Sequence, residues 1–289
     1  MNVQLLISSI IFGLSIGSIY FLLAIGLSLC FGLMRIISLD QLLYYSIGAY
    51  ITYTILTFIG SFWIGLLVAM IVAASVSLIV EKLVFKRIYE KAITFTMITS
   101  FGILLAGVGI IKYIWGLVPR PVPSPIHKQI ILLGTEVPLY RVIVILIAIF
   151  IYIDIWLFLN KTIVGKAIRA GIEDAEKVEG LGINVYWLFT LTFLIAGGLS
   201  GLGGGLHTPL IMVDPHMGLE MIPFVFMVVI IGGLGSIKGT LISSLIVGQV
   251  ISLGALIWAP LSNMAPFAIM ILILIVKPTG LYGSKLLKR

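Results

Sequence analysis

The sequence predicts an all-α polytopic membrane bundle of about eight or nine transmembrane helices, with a short cytoplasmic helix on one connection. Three observations predict it. The 289 residues are 61% hydrophobic and 10% charged, with a mean hydropathy of +1.24. Uncharged runs cover 1–34, 41–80, 92–111, 187–213 and 239–276, and apolar runs of that length are membrane spans. These runs are continuous rather than alternating, so each segment satisfies its backbone within its own helix and not as a strand of a closed barrel.

Taken in order, the predicted helices cover 5–33, 42–59, 63–80, 92–112, 141–159, 187–206, 221–236, 240–258 and 263–277. The first run reads as a retained span: it lacks a basic leading region and is too long for a signal peptide. A straight helix over residues 1–34 would be about 50 Å long against a hydrocarbon core of about 30 Å, so it extends past the membrane or breaks. Glu81 to Lys91 separates the third helix from the fourth. The connection 113–140 holds Pro119, Pro121, Pro123, Pro125 and Pro138 and cannot be a continuous helix. It reads as a stiff connector or as a docking surface for an extracytoplasmic partner. Pro260 and Pro266 bracket the break between the last two helices.

With alternating sides, every Lys and Arg except Lys112, Arg120, Lys128 and Arg141 falls in 35–41, 81–91, 160–186, 237–239 or the C-terminal tail. The positive-inside rule then places the N-terminus outside and the tail, with Lys285, Lys288 and Arg289, in the cytoplasm of a plasma (inner) membrane. The net charge of +7 therefore sets orientation, and no nucleic-acid partner is expected. Cys30 is the single cysteine and can form no internal disulfide.

An enzyme would need a catalytic set or a metal site. His127, His207 and His216 form no i,i+4 pair, and no GxxxxGK[ST] phosphate loop occurs. No cofactor or metal is expected, and the chain is read as a transport subunit that does not itself hydrolyse ATP. Asp154 is the acid well inside a predicted span, seven residues from Lys161 and so about 10 Å of helix from the inner surface. A proton relay would need further intramembrane acids, and the predicted spans supply none. Gly197, Gly201 and Gly205, like Gly13 and Gly17, repeat at helical spacing and read as close-packing faces. Gly232-Gly233-Leu234-Gly235-Ser236 is denser than packing needs, since each glycine weakens a helix by about 1 kcal/mol. It reads as a simple loop or as a discontinuity lining a substrate path.

The densest charge lies at 160–186, which carries Lys161, Lys166, Arg169, Lys177, Glu173, Asp174, Glu176 and Glu179. A mixed-charge, helix-forming island in so apolar a chain is offered to a soluble partner. Residues 165–183 read as one short helix with a glycine-rich end. Glu176 and Gly182 are spaced as in the loose E-A-A-x-x-x-G signature of ABC-importer membrane subunits, although Lys177 and Val178 stand where two alanines would be.

Four segments in order, GLSIGSIYFLLAIGLSLCFGLMRIIS at 13–38, GKAIRAGIEDAEKVEGLGIN at 165–184, IGGLGSIKG at 231–239 and KPTGLYG at 277–283, together resemble the branched-chain amino acid ABC-importer permeases of the Liv type. The resemblance runs over nearly the whole chain. It implies a single permease domain over 1–289 that pairs with a second, homologous permease, two cytoplasmic ABC ATPases and an extracytoplasmic substrate-binding protein. It implies ATPase coupling through Gly165, Arg169, Glu173, Asp174, Glu176 and Gly182. From polarity and glycine breaks, the substrate path is placed near Ser15, Ser18, Tyr20, Gly232, Gly233 and Ser236. One departure stands out: where the family usually carries Asn-Phe-Ala-His-Gly, this chain has Ser38-Leu39-Asp40-Gln41-Leu42. That leaves open a different small amino acid, an amide such as urea, or a short peptide. A stand-alone secondary transporter or channel for a small polar solute is the reading from another class.

Overall fold

A computed structural model describes residues 3–89, 91–132 and 134–283. The tail cations Lys285, Lys288 and Arg289 and the side chains of Glu173 and Glu176 lie outside the described residues. Nine long apolar helices occur among them: α1 (Val3–Met34), α2 (Gln41–Ile59), α3 (Phe62–Leu83), α4 (Ile93–Trp115), α5 (Leu139–Lys161), α8 (Val185–His207), α9 (Met217–Gly232), α10 (Ile237–Ile257) and α11 (Leu261–Val276). Seven are long and apolar enough to cross a membrane, while α9 and α11 have 16 residues each. Two short helices, α6 (Ile163–Glu173) and α7 (Ala175–Gly180), form the charged island.

The first helix is unbroken over 32 residues. It is the axis of the bundle, packed against α2, α5, α6, α8, α9 and α10. Its stretch Ile19–Ile25 is almost wholly buried, which explains why it is apolar on every side. Around it, α2, α3 and α8 interlock through glycine. A Cβ at Gly48 would collide with the Gly201 carbonyl, and one at Gly204 with the Tyr45 carbonyl, so the α2 and α8 backbones meet directly where they cross.

The chain marks two opposite ends of the bundle. At one end, Gln4 Nε2 donates to the Gly134 carbonyl at 3.0 Å, Arg141 sits 4.1 Å over the Phe12 ring, and Arg120 pairs its backbone with Val213. The proline-rich connection lies here. It contains an antiparallel hairpin, β1 (Gln129–Leu132) with β2 (Thr135–Pro138), which short local pairing made invisible to hydropathy. At the other end lie α6, α7, the 3-10 turn Phe85–Arg87 and the α9–α10 turn. Tyr89 there packs against Tyr186 and Phe189, at the start of α8.

The connection 35–41, read from sequence as a surface loop, is corrected by the structure. Arg35 is exposed and takes a left-handed φ of 55°, which reverses the chain. Residues 36–40 then climb back into the bundle. The Ile37 carbonyl accepts from Ser100 Oγ of α4 at 2.9 Å, and Gln41 meets Ser200 of α8 at 3.1 Å. Unwound backbone at such depth is tolerated where protein surrounds it, and here Ser38, Leu39 and Asp40 are all buried. The inventory of intramembrane acids changes with it. Asp40 and Glu81, both assigned to loops by the sequence, are 0% and 1% exposed, whereas Asp154 is exposed on α5.

Candidate functional site

The island is two helices, not one. Thr162 caps α6, its hydroxyl accepting from Gly165 N at 2.9 Å, and Asp174 caps α7, accepting from Lys177 N at 3.1 Å. Asp174 has the extended backbone of an N-cap, φ −159°, and a residue so disposed stops the preceding helix. The Asp174 carboxylate also pairs with Lys177 Nζ at 2.9 Å, and that contact raises the Lys177 ammonium above the ordinary lysine range. Asn184 then caps α8, accepting from Trp187 N at 3.1 Å.

One face of α6 is fixed to the bundle and the other is free. Gly165, Ala167, Ile168 and Gly171 are buried. A Cβ at Gly165 would collide with the Phe158 carbonyl of α5, and one at Gly171 would come within 2.6 Å of Leu33 of α1. Arg169 leaves this face and hydrogen-bonds Asn160 Oδ1. Gly182 closes the island with φ +80°, a conformation that costs other residues roughly 1–2 kcal/mol. Ile163 and Leu181, at the two ends of the island, are 86% and 78% exposed. The sequence reading weighed the charges here and missed these two; their signal was an apolar residue at each border of a charged stretch.

Beside the island runs a groove of about 1060 Å³ whose lining includes Arg169, Asp174, Lys177, Ser236, Lys238 and Tyr282. Residues placed by sequence in two different roles thus share one surface. The backbone at Gly232–Ser236 is the turn joining α9 to α10. Gly233 and Gly235 take φ of +94° and +82°, and Ser236 caps α10 by accepting from Gly239 N at 3.2 Å. The tail straps the turn: Leu281 N donates to the Ile231 carbonyl at 2.8 Å and Tyr282 N to the Gly232 carbonyl at 3.0 Å.

The other expected pathway residues lie elsewhere. Ser15 is buried without a hydrogen-bond partner among the described residues, Ser18 Oγ donates to the Leu14 carbonyl at 2.8 Å, and the Tyr20 ring stacks on Phe224 at 5.5 Å. Gly235 packs on Gly32, twelve residues further along α1 than Tyr20, or about 18 Å. The structure does not bring the two sets together.

A polar cluster fills the interior between them. The Asp40 carboxylate accepts from Ser38 Oγ and, at 2.6 Å, from Tyr44 OH. Gln41 Nε2 reaches Ser38 Oγ at 3.4 Å and Cys30 Sγ at 3.8 Å, and Gln41 Oε1 accepts from Ser200. This cluster is built from the segment where the chain departs from Asn-Phe-Ala-His-Gly. Nearer the hairpin end, Tyr45 OH and His207 Nδ1 lie 2.6 Å apart in a buried pair.

Comparison with known proteins places the chain in a family. A family model described as the permease component of a branched-chain amino acid transport system matches residues 9–274. The chain is 25% identical to the high-affinity branched-chain amino acid transport system permease protein LivH of Salmonella typhimurium strain LT2, over 94% of this chain and 93% of that protein. It is 29% identical to the guanosine ABC transporter permease protein NupQ of Bacillus subtilis strain 168, over 53% of this chain and 50% of that protein. Among solved structures, PsaBC from Streptococcus pneumoniae in complex with Fab shares the fold, with a TM-score of 0.51 at 15% identity, covering 100% of this chain and 96% of that chain.

Proposed function

Because the chain belongs to the permease-component family of branched-chain amino acid transport systems, we propose that it is the membrane subunit of an ABC importer for branched-chain or similar amino acids. It works as one permease domain in a plasma membrane, paired with a homologous permease, two cytoplasmic ATPases and an external binding protein. The N-terminus and the β1–β2 hairpin face outward, and α6 and α7 face the cytoplasm.

The match over residues 9–274 carries this reading. The island supports it mechanically. Its inner face is packed against α1 and α5 through Gly165 and Gly171, so a force applied to α6 reaches the axis of the bundle. Its outer face presents Arg169, Lys177, Ile163 and Leu181, a mixed apolar and charged surface suited to a groove on an ATPase. Glu173 and Glu176 belong to the same two helices. ATP binding draws the ATPases together, and the difference in their grip between two states drives the change in access. The match to a guanosine permease over half the chain leaves the cargo a matter for measurement.

The test is ATP-driven uptake of radiolabelled leucine into vesicles holding the four-subunit complex, with the binding protein outside. Paired substitutions Glu176→Ala and Gly182→Val should leave the chain inserted and ATP hydrolysis running while uptake falls roughly tenfold or more. Normal uptake in that variant would remove the coupling role. Uptake by the purified chain alone, with no ATPase, would replace the importer reading with a stand-alone carrier.

A further inference from the structure

Asp154 is the polar exception on an apolar flank. It is exposed on α5, where Phe150, Ile153 and Leu157 make the neighbouring face exposed and apolar, as a surface against lipid is. Its carboxylate has no hydrogen bond or ion pair among the described residues. Lys161, exposed and likewise unpaired among the described residues, follows seven residues later. That spacing returns to the same side of a helix, about 10 Å nearer the end of the bundle that carries α6.

Beside Asp154 the bundle is not closed. α5 and α8 both pack on α1 but hardly touch one another, and a cavity of about 190 Å³ lies there with Asp154 on its lining. Leu29 of α1, Ile168 of α6 and Leu199 of α8 line it and are buried, while Ile151 of α5 and Ile195 of α8 line it and are partly exposed. Thr192 lines it too, but its hydroxyl donates to the Leu188 carbonyl at 2.8 Å. Asp154 is thus the polar side chain on the lining that lacks a partner. A cavity of about 150 Å³ lined by leucine, isoleucine and phenylalanine holds benzene, so this one has room for a stretch of acyl chain. Well-packed interiors leave few voids of this size, and a gap with apolar walls at the bilayer face fills with lipid rather than water.

We propose that this gap holds one acyl chain of a phospholipid with a primary-ammonium head, drawn from the leaflet beside α6 and α7, with the ammonium on Asp154 and the phosphate toward Lys161. The charges select the head. A carboxylate facing lipid is costly until it is paired, and a primary ammonium pairs it through a charge-assisted hydrogen bond. A quaternary choline carries the charge but has no N–H to donate. The order along α5, acid deep and lysine shallow, fits a zwitterionic head. It disfavours a purely anionic head, which would bring no counter-charge to Asp154. Ile168 belongs to α6, so the bound chain also bears on the charged island and supports it against the bundle.

The inference rests on the membrane-bundle reading and needs no transport, so its failure would leave the importer proposal standing. The probe is dioleoyl phosphatidylethanolamine, titrated against the detergent-purified full chain and counted by native mass spectrometry, with dioleoyl phosphatidylcholine as the matched control. The first ethanolamine lipid should bind roughly tenfold more tightly than the first choline lipid. Asp154→Asn, at an exposed position, should erase that preference, and Ile195→Trp, which fills the cavity, should weaken the first site for both lipids. Equal binding of the two lipids by the parent, or a preference that survives Asp154→Asn, overturns the proposal. Asp154→Asn stays informative if Ile195→Trp fails to fold. Glycerophosphoethanolamine, the same head without chains, should not displace the lipid at equal concentration; displacement would assign Asp154 to a soluble amine and overturn the acyl-chain site. The lipid should also stay bound when the chain is assembled with its partner subunits, and its loss there would assign Asp154 to a basic side chain of a partner instead.

Discussion

Single residues decide how rigid the interior is. Tyr45 OH and His207 Nδ1 share a 2.6 Å hydrogen bond in a site 0% and 6% exposed. Tyr45→Phe keeps the ring and strands the imidazole nitrogen. A buried polar group left unpaired costs about 1–3 kcal/mol, so thermal unfolding in detergent should shift downward by a few degrees. A variant as stable as the parent would show that His207 finds another partner. At Gly48 the constraint is steric: any side chain enters the Gly201 backbone. Gly48→Leu should fail to accumulate as folded protein in the membrane, read by size-exclusion profile, whereas Gly102→Leu, which meets open space on α4, should accumulate normally.

Among elements, the island is the one whose local chemistry is separable from the bundle. Its short second helix has one turn and a bit to hold it, so the Asp174 cap and the Lys177 pair dominate its stability. Asp174→Ala should cost about 1 kcal/mol locally and speed amide hydrogen exchange over 175–180 roughly fivefold, while exchange within α8 stays unchanged. The sequence made this element visible by its charge and its Glu176-to-Gly182 spacing. It could not show the break at Asp174, because a helix-compatible run of residues conceals a cap until φ and ψ are known. The same limit hid the climb of 36–40 into the core. Polar Ser38, Asp40 and Gln41 look like a surface turn in hydropathy, and only their partners on α4 and α8 reveal otherwise. The β1–β2 hairpin escaped for a third reason: four-residue strands in a proline-rich connection carry no usable period.

At the scale of the whole molecule, hydropathy alone was nearly enough. Among the described residues the predicted spans correspond to nine apolar helices with ends displaced by a few residues, because lipid forces every backbone group to be satisfied within its helix. Orientation is the open consequence. Cys30 is the single cysteine and is buried, so the chain is ready for accessibility mapping. Ile131→Cys, at an exposed hairpin position, should react with an impermeant maleimide in intact cells, and Leu181→Cys should react after permeabilisation. The reverse pattern would invert the proposed topology.

The two 16-residue helices give the molecule one more property. At 1.5 Å per residue α9 and α11 are each about 24 Å long, against a hydrocarbon thickness of about 30 Å. Both pack on α10, so the shortfall is concentrated along one flank. Lipid beside that flank must thin, or its headgroups must sink toward the helix ends, at a fraction of a kcal/mol for each ångström. Acyl-chain length is then a control on the molecule: reconstitution in short-chain phosphatidylcholine should relax that flank, and longer chains should load it.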